Sequence, residues 1–263
     1  MPRSGSHTSP VSRQREKTAS IGHLLEALGD APPVERLIEA VEGYFAEWEE
    51  AADAVVYEEA DPRDIAAIVS RELRALTKRA CELAEAMLAA RGEGGPPRPY
   101  AMLVLGSGGR GESLLAMDQD NAIVFDAGPP GGPEDRWFER LGALVADMLN
   151  EAGVRYCPGG NMASKPDWRL DLAGWRRRLD AWIGKSRPED LLNSDIFFDA
   201  VPVHGNDRLA EGLYAEAAAA ARSSRTFLKA MAVQAGDFRV QLNWRGRPKL
   251  EDGRIDLKKN GIM

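Results

Sequence analysis

Cysteine is scarce in this chain, which contains only two in 263 residues. Cys81 and Cys157 cannot provide the disulfide framework on which small secreted proteins depend. No run of about eighteen apolar residues is present, so no membrane-spanning helix is predicted. The first residues also lack the apolar core of a secretion signal. We therefore expect a cytoplasmic protein without a membrane partner.

The chain also has no excess of basic residues. Lys and Arg number 34 against 41 Asp and Glu, which gives a formal net charge of −7. Non-specific binding to nucleic acid depends on the neutralisation of phosphates by Lys and Arg, so a nucleic-acid partner is not expected. Hydrophobic residues make up 44% of the chain and charged residues 29%, which is ordinary for a packed globular protein. Composition alone therefore excludes several classes of protein without indicating an activity.

The hydrophobic pattern divides the chain into four parts. Residues 1–16 are rich in Ser, Pro and Arg and are predicted to form a disordered tail. Residues 17–95 have helical spacing, with Pro62 at the first position of a helix, and predict an N-terminal helical bundle. Residues 96–206 contain the strand-like runs and would form the core domain. Residues 207–263 are predicted to form a C-terminal helical region.

The most informative part of the chain is the segment 106–126, GSGGRGESLLAMDQDNAIVFD. An apolar run that predicts a buried strand precedes it, and a second strand-like run begins just after Asp120. Asp118 and Asp120 are two residues apart, a spacing at which strand side chains point the same way. Two carboxylates on one face repel each other unless a cation joins them. The spacing therefore predicts a divalent metal site.

A glycine-rich turn lies just before these acids in the chain. Gly106 and Ser107 offer backbone N–H groups and a hydroxyl, and Arg110 offers a guanidinium, all of which suit phosphate. An acid pair beside such a turn predicts a site for Mg²⁺ and a nucleotide.

Three other interpretations of this segment compete with a metal–nucleotide site. Gly106, Gly108 and Gly111 also fit the dinucleotide-binding fingerprint, but this leaves the aspartates without a role, and the chain does not repeat the βαβ pattern. A P-loop is excluded because Glu112 stands where a lysine must reach the phosphates. The structural alternative is a glycine turn between two strands with solvated aspartates.

A third acid is predicted further along the chain. In residues 195–203, Asp195 and Asp199 alternate onto one face of a predicted strand, and acids on an apolar face need a partner. Either is a candidate third metal ligand. His204 follows the strand and is expected to be a surface residue, since no nucleophile pairs with it. Tryptophans at helical spacing are predicted to be packing residues rather than surfaces for base stacking: Trp168, Trp175 and Trp182.

The ordered series of motifs resembles a known family. The motifs are Gly106-Ser107, Arg110, Glu112, Asp118-Gln-Asp120-Asn121, Ile196-Phe-Phe-Asp199 and Ile255-Asp-Leu-Lys-Lys259-Asn-Gly-Ile262. They are similar to the motifs of the nucleotidyltransferases related to the N-terminal part of PII-protein uridylyltransferase, in the polymerase-beta-like superfamily. The resemblance covers roughly residues 20–263.

The resemblance implies a fold and an activity. The fold would be α+β, a polymerase-beta-like core with a small mixed sheet and helices, flanked by an N-terminal helical bundle and C-terminal helices. The activity would be Mg²⁺-dependent transfer of a nucleoside monophosphate from an NTP to a hydroxyl, with release of pyrophosphate. A protein is the candidate acceptor that the resemblance suggests. The implied catalytic and metal-binding residues are Asp118, Asp120 and Asp199, and the nucleotide-binding residues are Gly106, Ser107 and Arg110.

Several points stay open at this level. The chain departs from the family pattern at Gly108, Ser113 and Val201, so a signalling module that binds nucleotide with little turnover is the alternative function. The choice of NTP, the acceptor and the oligomeric state are not indicated. Lys258 is a candidate phosphate contact or a solvated strand lysine. Because the resembling proteins continue beyond Met263, we expect the C-terminal helical region to be incomplete and the usual sensory domains to be missing.

Overall fold

The computed structural model describes residues 62–114 and 117–237. The helices predicted before residue 62 and the motif that contains Lys258 lie outside the described residues. In chain order the elements are α1 (Pro62–Ala90), β1 (Tyr100–Val104), α2 (Gly106–Arg110), β2 (Asn121–Phe125), α3 (Pro133–Glu151), a 3₁₀ turn (Pro166–Trp168), β3 (Arg169–Asp171), α4 (Leu172–Lys185), α5 (Pro188–Phe198), β4 (Val201–Gly205), α6 (Asp207–Ser223) and α7 (Arg225–Asp237).

The strands form one mixed sheet of four in the order β3-β2-β1-β4. The central strand β1 is antiparallel to both β2 and β4, whereas β2 and the short edge strand β3 are parallel. A small mixed sheet accompanied by helices confirms the predicted α+β fold class and agrees with a polymerase-beta-like core.

Both faces of the sheet are covered by helices. All five residues of β1 and all five of β2 are buried. Because strand side chains alternate between faces, the side chains of each strand belong to two separate hydrophobic cores, one on each face of the sheet. Met102 and Ile123 pack with α1 and α3 on one face. Leu103 and Val124 pack with α4 and α6 on the other, together with Phe197 from α5. The continuous apolar runs of both strands reflect this double burial.

The segment that was predicted as a strand around Asp199 is a helix, so that prediction is wrong. Pro188 occupies the first helical position of α5, and the carboxylate of Asp190 accepts a hydrogen bond from the Arg187 backbone N–H at 3.2 Å, which closes the helix start. The buried side chains recur at helical spacing: Leu191, Ser194 and Phe197. The strand begins only at Val201.

The structure confirms some of the other predictions and adds elements that were not predicted. The tryptophans Trp168, Trp175 and Trp182 are buried, which confirms their predicted packing role, and Cys81 is fully buried. The three-residue strand β3 was not predicted, and the helix after residue 206 is interrupted at Ser224 between α6 and α7. Within the part of the chain that the structure describes, no helix is long and apolar enough to span a membrane.

Helix α1 is fastened to the sheet by a polar contact near its C-terminal end. The Tyr100 hydroxyl donates to the carboxylate of Glu85, and Nε2 of His204 lies 3.0 Å from the same oxygen. His204 therefore lies half-buried within β4, so the prediction of a surface residue is wrong. Burial alone raises the pKa of Glu85, but the hydrogen bonds from His204 and Tyr100 outweigh it and lower that pKa.

This contact predicts a pH-dependent loss of stability in Glu85→Gln. Since the folded protein lowers the pKa of Glu85 below its ordinary value of 4.5, the charged form contributes stability above that pH, and the contribution is lost as pH falls through the folded-state pKa. We expect Glu85→Gln to reduce the free energy of unfolding by about 1–3 kcal/mol at pH 7. Urea denaturation at pH 7 and pH 3 measures the difference from wild type, which should shrink at the lower pH. Glu211→Gln, at an exposed position on α6, is the matched control and should show no such change.

Candidate active site

The sheet brings three chain segments to one end. Val104, the last residue of β1, pairs with the first residue of β2, Asn121, and with the first residue of β4, Val201. The segment that follows β1 and the segments that precede β2 and β4 therefore share one edge of the molecule. These segments hold the glycine turn, the Asp118/Asp120 pair and Asp199. Neighbouring strands lie about 4.8 Å apart, so β2 and β4 are roughly 10 Å apart across β1.

The glycine turn is the short helix α2, which lies between the acids. Gly106 has φ +52°, a conformation that favours glycine, and a Cβ on it would lie 3.1 Å from Oδ2 of Asp120. At the other end, a Cβ on Gly109 would lie 1.8 Å from the backbone carbonyl oxygen of Asp199. Only a chain without side chains at these two positions can approach Asp120 and Asp199 so closely.

Arg74 on α1 fixes the position of this turn from the other side. Its Nε donates to the carbonyl of Gly108 at 2.9 Å, and its Nη2 donates to the carbonyl of Gly109 at 2.7 Å. The last carbonyls of a helix receive no hydrogen bond from an N–H group of the same helix. Arg74 supplies the missing donors. Sequence reasoning missed Arg74, and the only signal was its place beside the apolar stripe of α1.

The two amides in the Asp118-Gln119-Asp120-Asn121 motif hold the acids in place. Nε2 of Gln119, which is 1% exposed, donates to the carbonyls of Ala146 and Val154, each at 2.9 Å. Oδ1 of Asn121, also buried, accepts from the N–H of Ala163 at 2.8 Å. Because side chains alternate along an extended segment, the acids lie on the opposite side from the amides.

Asp118 and Asp120 are both half-buried. The backbone around Asp118 forms a parallel bridge to Arg155, and the carbonyl of Asp120 accepts from the N–H of Leu105 at 2.9 Å, which extends the β1–β2 pairing. Within the described residues the carboxylate of Asp118 has no hydrogen-bond partner. This acid is therefore available to an external cation.

The irregular segment from Cys157 to Asn161 lies beside Asp120. Nδ2 of Asn161 is 3.5 Å from Oδ1 of Asp120. Burial raises the pKa of the Cys157 thiol, and the Asp120 carboxylate raises it further, so the reactive thiolate form is disfavoured at this position. The sequence predicts only that the irregular segment 157–161 lies near the nucleotide, without a role for Asn161 itself; the proximity of Asn161 to Asp120 makes it part of the candidate site.

Asp199 follows α5 directly, and its carboxylate forms an ion pair with Arg110. Nη1 of Arg110 donates to the Asp199 carboxylate, and Nε of Arg110 donates to Glu112 at 2.9 Å. Burial raises the pKa of Asp199 from 3.8 to about 6; Arg110 opposes that rise, whereas the charges of Asp195 and Glu112 add to it. Asp199 therefore prefers its protonated form more than an ordinary aspartate does.

The donor set suits a hard cation, with one condition. Carboxylate oxygens are the ligands that Mg²⁺ prefers, and the missing Cβ of Gly106 leaves space beside Asp120. However, no group of three or more His, Cys, Asp or Glu side chains within 62–114 and 117–237 is close enough to hold a metal. Asp118 and Asp120 offer carboxylate oxygens of the kind that this cation needs, whereas Asp199 would have to exchange Arg110 for the cation.

The environment of Asp199 predicts opposite effects for two substitutions on its neighbours. In buffer without divalent cations, the carboxyl of Asp199 should titrate near pH 6. Its contribution to the free energy of unfolding therefore becomes less favourable to the folded state as pH rises from about 4 to 6. Arg110→Gln should raise the pKa of Asp199, because it removes a hydrogen bond and a positive charge. Glu112→Gln should lower it, because it removes a negative charge. Carboxyl ¹³C NMR titration, assigned with Asp199→Asn, measures both; a wild-type midpoint near 4 would contradict the burial argument.

Comparison with known proteins identifies a family. The model of the family described as Putative nucleotidyltransferase DUF294 matches residues 46–189, more than half of the chain. The matched region includes α2, Asp118 and Asp120 and ends before Asp199. No curated protein matches the chain. On the extent of this match, the chain belongs to the DUF294 nucleotidyltransferase family.

Proposed function

We propose that this protein is a Mg²⁺-dependent nucleotidyltransferase that moves a nucleoside monophosphate from an NTP to a hydroxyl group. Membership of the family supports nucleotidyl transfer as the class of reaction. The observation that carries the proposal is the meeting of the glycine turn, the Asp118/Asp120 pair and Asp199 at one end of the sheet.

The glycine turn is assigned to the phosphates of the NTP. The first N–H groups of a helix have no acceptor within it, and at Gly106 and Ser107 these groups are available to phosphate oxygens. The Ser107 hydroxyl adds a further donor. Arg110, half-exposed at the end of α2, adds a guanidinium whose geometry suits phosphate.

The acids are assigned to the metal and to the attacking hydroxyl. Asp118 and Asp120 would hold Mg²⁺, with Asp199 as the third ligand. When bound, Mg²⁺ neutralises phosphate charge and lowers the pKa of a coordinated hydroxyl. The three side chains would also orient the α-phosphate against the acceptor, because the segments that carry them adjoin strands whose register is fixed by backbone pairing.

The proposed reaction is a single displacement at the α-phosphorus. A bond forms between the acceptor oxygen and the α-phosphorus, the bond from that phosphorus to the β-bridging oxygen breaks, and pyrophosphate leaves with the bond's electron pair. The proton of the acceptor hydroxyl is released to solvent. No covalent enzyme intermediate is required, since no nucleophile–base pair is present at the described site.

The acceptor is proposed to be a protein, with UTP as the first NTP to test. These points rest on the resemblance to PII-protein uridylyltransferase rather than on the geometry. A nucleic-acid acceptor is disfavoured by the net charge of −7.

The double substitution Asp118→Asn with Asp120→Asn should weaken Mg²⁺-dependent NTP binding by roughly 100-fold or more, because the cation loses both fixed charges. Calorimetric titration of each NTP, with Mg²⁺ and with EDTA, measures the effect. Since Asn preserves the shape of Asp, the fold should survive, and a thermal melt checks this. Equal affinity in wild type and double mutant would remove the metal site, and tight NAD binding with EDTA would favour the dinucleotide interpretation instead.

Asp199→Ala should reduce transfer by roughly 1000-fold while most NTP affinity remains, because the third acid acts on the attacking group rather than on the bound phosphates. Incubation with α-labelled UTP or ATP, Mg²⁺ and cell lysate should transfer label to an acceptor and release pyrophosphate. Asp195→Asn, one turn earlier on α5, is the matched control and should retain transfer. Loss in Asp195→Asn without loss in Asp199→Ala would reassign the third ligand to Asp195.

A second candidate function is a nucleotide-binding regulatory module with weak or no turnover. It is favoured by the Arg110–Asp199 ion pair and by the lack of a ready three-acid metal cluster within the described residues. Under this alternative, NTP binding depends on Asp118 and Asp120, but label is not transferred with any acceptor, and Asp199→Ala has no effect.

A further inference from the structure

A second cavity adjoins the candidate active site. Its volume is about 380 Å³, and it is enclosed by the loop before the 3₁₀ turn, by one side of α4 and by the first half of α5. Trp168 and Trp182, both buried, contribute to its wall. The volume falls within the range of pockets that bind small organic ligands.

Asn161 connects the wall of this cavity to the candidate metal site. This residue lines the cavity and places its amide 3.5 Å from Asp120, whose other side lies against Gly106. Asp120 therefore stands between the phosphate-binding turn and the cavity. On α5, Asn193 of the cavity wall precedes Asp199 by six residues, or roughly 9 Å along the helix. An NTP whose phosphates lie on α2 would have its α-phosphate at Asp120 and the rest of the molecule toward Asn161.

The charges of the cavity wall cancel in pairs. Nη2 of Arg178 donates to Asp167 at 2.6 Å, and Nε of Arg187 donates to Asp190 at 2.8 Å. These four residues are the charged groups of the lining. A wall without net charge is unsuited to a polyphosphate, whose binding needs uncompensated positive charge, but it suits the uncharged part of a ligand.

The wall also offers amide groups for recognition. Asn193 is half-buried, and within the described part of the chain its amide has no hydrogen-bond partner. Together with Asn161 it presents paired donors and acceptors of the kind that recognise the edge of a nucleobase. An amide that makes no hydrogen bond within the described protein is free to bond to a ligand in the cavity.

We propose that this cavity binds the nucleoside part of the NTP, its base and ribose, while the phosphates lie on α2. The proposal rests on the function proposed above and adds the specificity-determining part of the same site. Asn193 and Asn161 would contact the base or the ribose, and the two Arg–Asp pairs would keep the wall rigid. The buried tryptophans close the cavity rather than stack on the base.

The test compares ligands that share phosphates but differ in the nucleoside. Wild type, Asn193→Ala and Ala181→Leu, which fills the cavity from α4, are titrated with the Mg²⁺ complexes of ATP, UTP, CTP, GTP and inorganic triphosphate. Asn193→Ala should weaken the preferred NTP roughly 3- to 10-fold, the effect of one lost hydrogen bond, and Ala181→Leu should weaken it more. The affinity for inorganic triphosphate should be the same in all three proteins. Asn206→Ala, the same substitution at the opposite end of the sheet, should change neither the affinity for the NTP nor the affinity for triphosphate.

A second measurement needs no variant of the cavity. In ¹⁵N NMR spectra, the Mg²⁺ complex of the preferred NTP should shift the indole N–H signals of Trp168 and Trp182, whereas Mg²⁺–triphosphate should not. The indole of Trp137, on the other face of the sheet, is the internal reference.

The outcomes separate this inference from the proposed function. Unchanged NTP affinity in both cavity variants, while Asp118→Asn with Asp120→Asn abolishes binding, overturns the nucleoside pocket alone. Unchanged NTP affinity with a raised KM for the acceptor assigns the cavity to the acceptor and also overturns it. Failure of wild type to bind any NTP or triphosphate overturns the proposed function and this inference together.

Discussion

The candidate site depends on one contact between two backbones, that of Gly109 with the carbonyl of Asp199. A methyl group at Gly109 would lie 1.8 Å from that oxygen, well inside van der Waals contact, so only glycine allows α2 to lie against the end of α5. This approach places Arg110 on Asp199 and, four residues earlier, Gly106 on Asp120. Arg74 holds the same turn from α1 through two carbonyls. A displacement of α2 would therefore move the proposed phosphate-binding groups and the partner of Asp199 at the same time.

The acids owe their placement to the uncharged residues between and beside them. Gln119 and Asn121 are buried and hydrogen-bonded to backbone groups of α3 and of the loops that follow it. Leaving a buried amide unsatisfied costs roughly 1–3 kcal/mol, so the register of this segment is strongly fixed. That register turns Asp118 and Asp120 to the opposite side, where they remain half-exposed. Two carboxylates on one side of an extended segment repel each other, and a cation bound between them would relieve that repulsion.

Much of this arrangement could be predicted from the sequence because it is local. The apolar runs of β1 and β2 and the helix start at Pro62 follow from short patterns, and the spacing of Asp118 and Asp120 predicts their shared side. The assignment of α5 failed because Asp195, Phe197 and Asp199 fit a period of two as well as a helix, and a short apolar run does not distinguish them. The helix start at Pro188 and Asp190 was the stronger signal. Arg74, Asn161 and His204 could not be placed, since their roles arise from contacts between segments far apart in the chain.

Arg110 is the residue on which the two candidate functions differ. As an enzyme, the protein must use Arg110 for phosphate and Asp199 for the metal, so the ion pair between them has to exchange when Mg²⁺ and nucleotide bind. The environment of Asp199 favours this exchange: burial raises its pKa to about 6 even with Arg110 present, so one guanidinium does not fully compensate the carboxylate. A divalent cation offers twice the charge at a comparable distance, and the triphosphate offers Arg110 a stronger partner than one carboxylate. As a regulatory module, the protein would instead keep the ion pair when nucleotide is bound. The arrangement of these two side chains in the nucleotide complex is thus the structural difference between catalysis and binding alone.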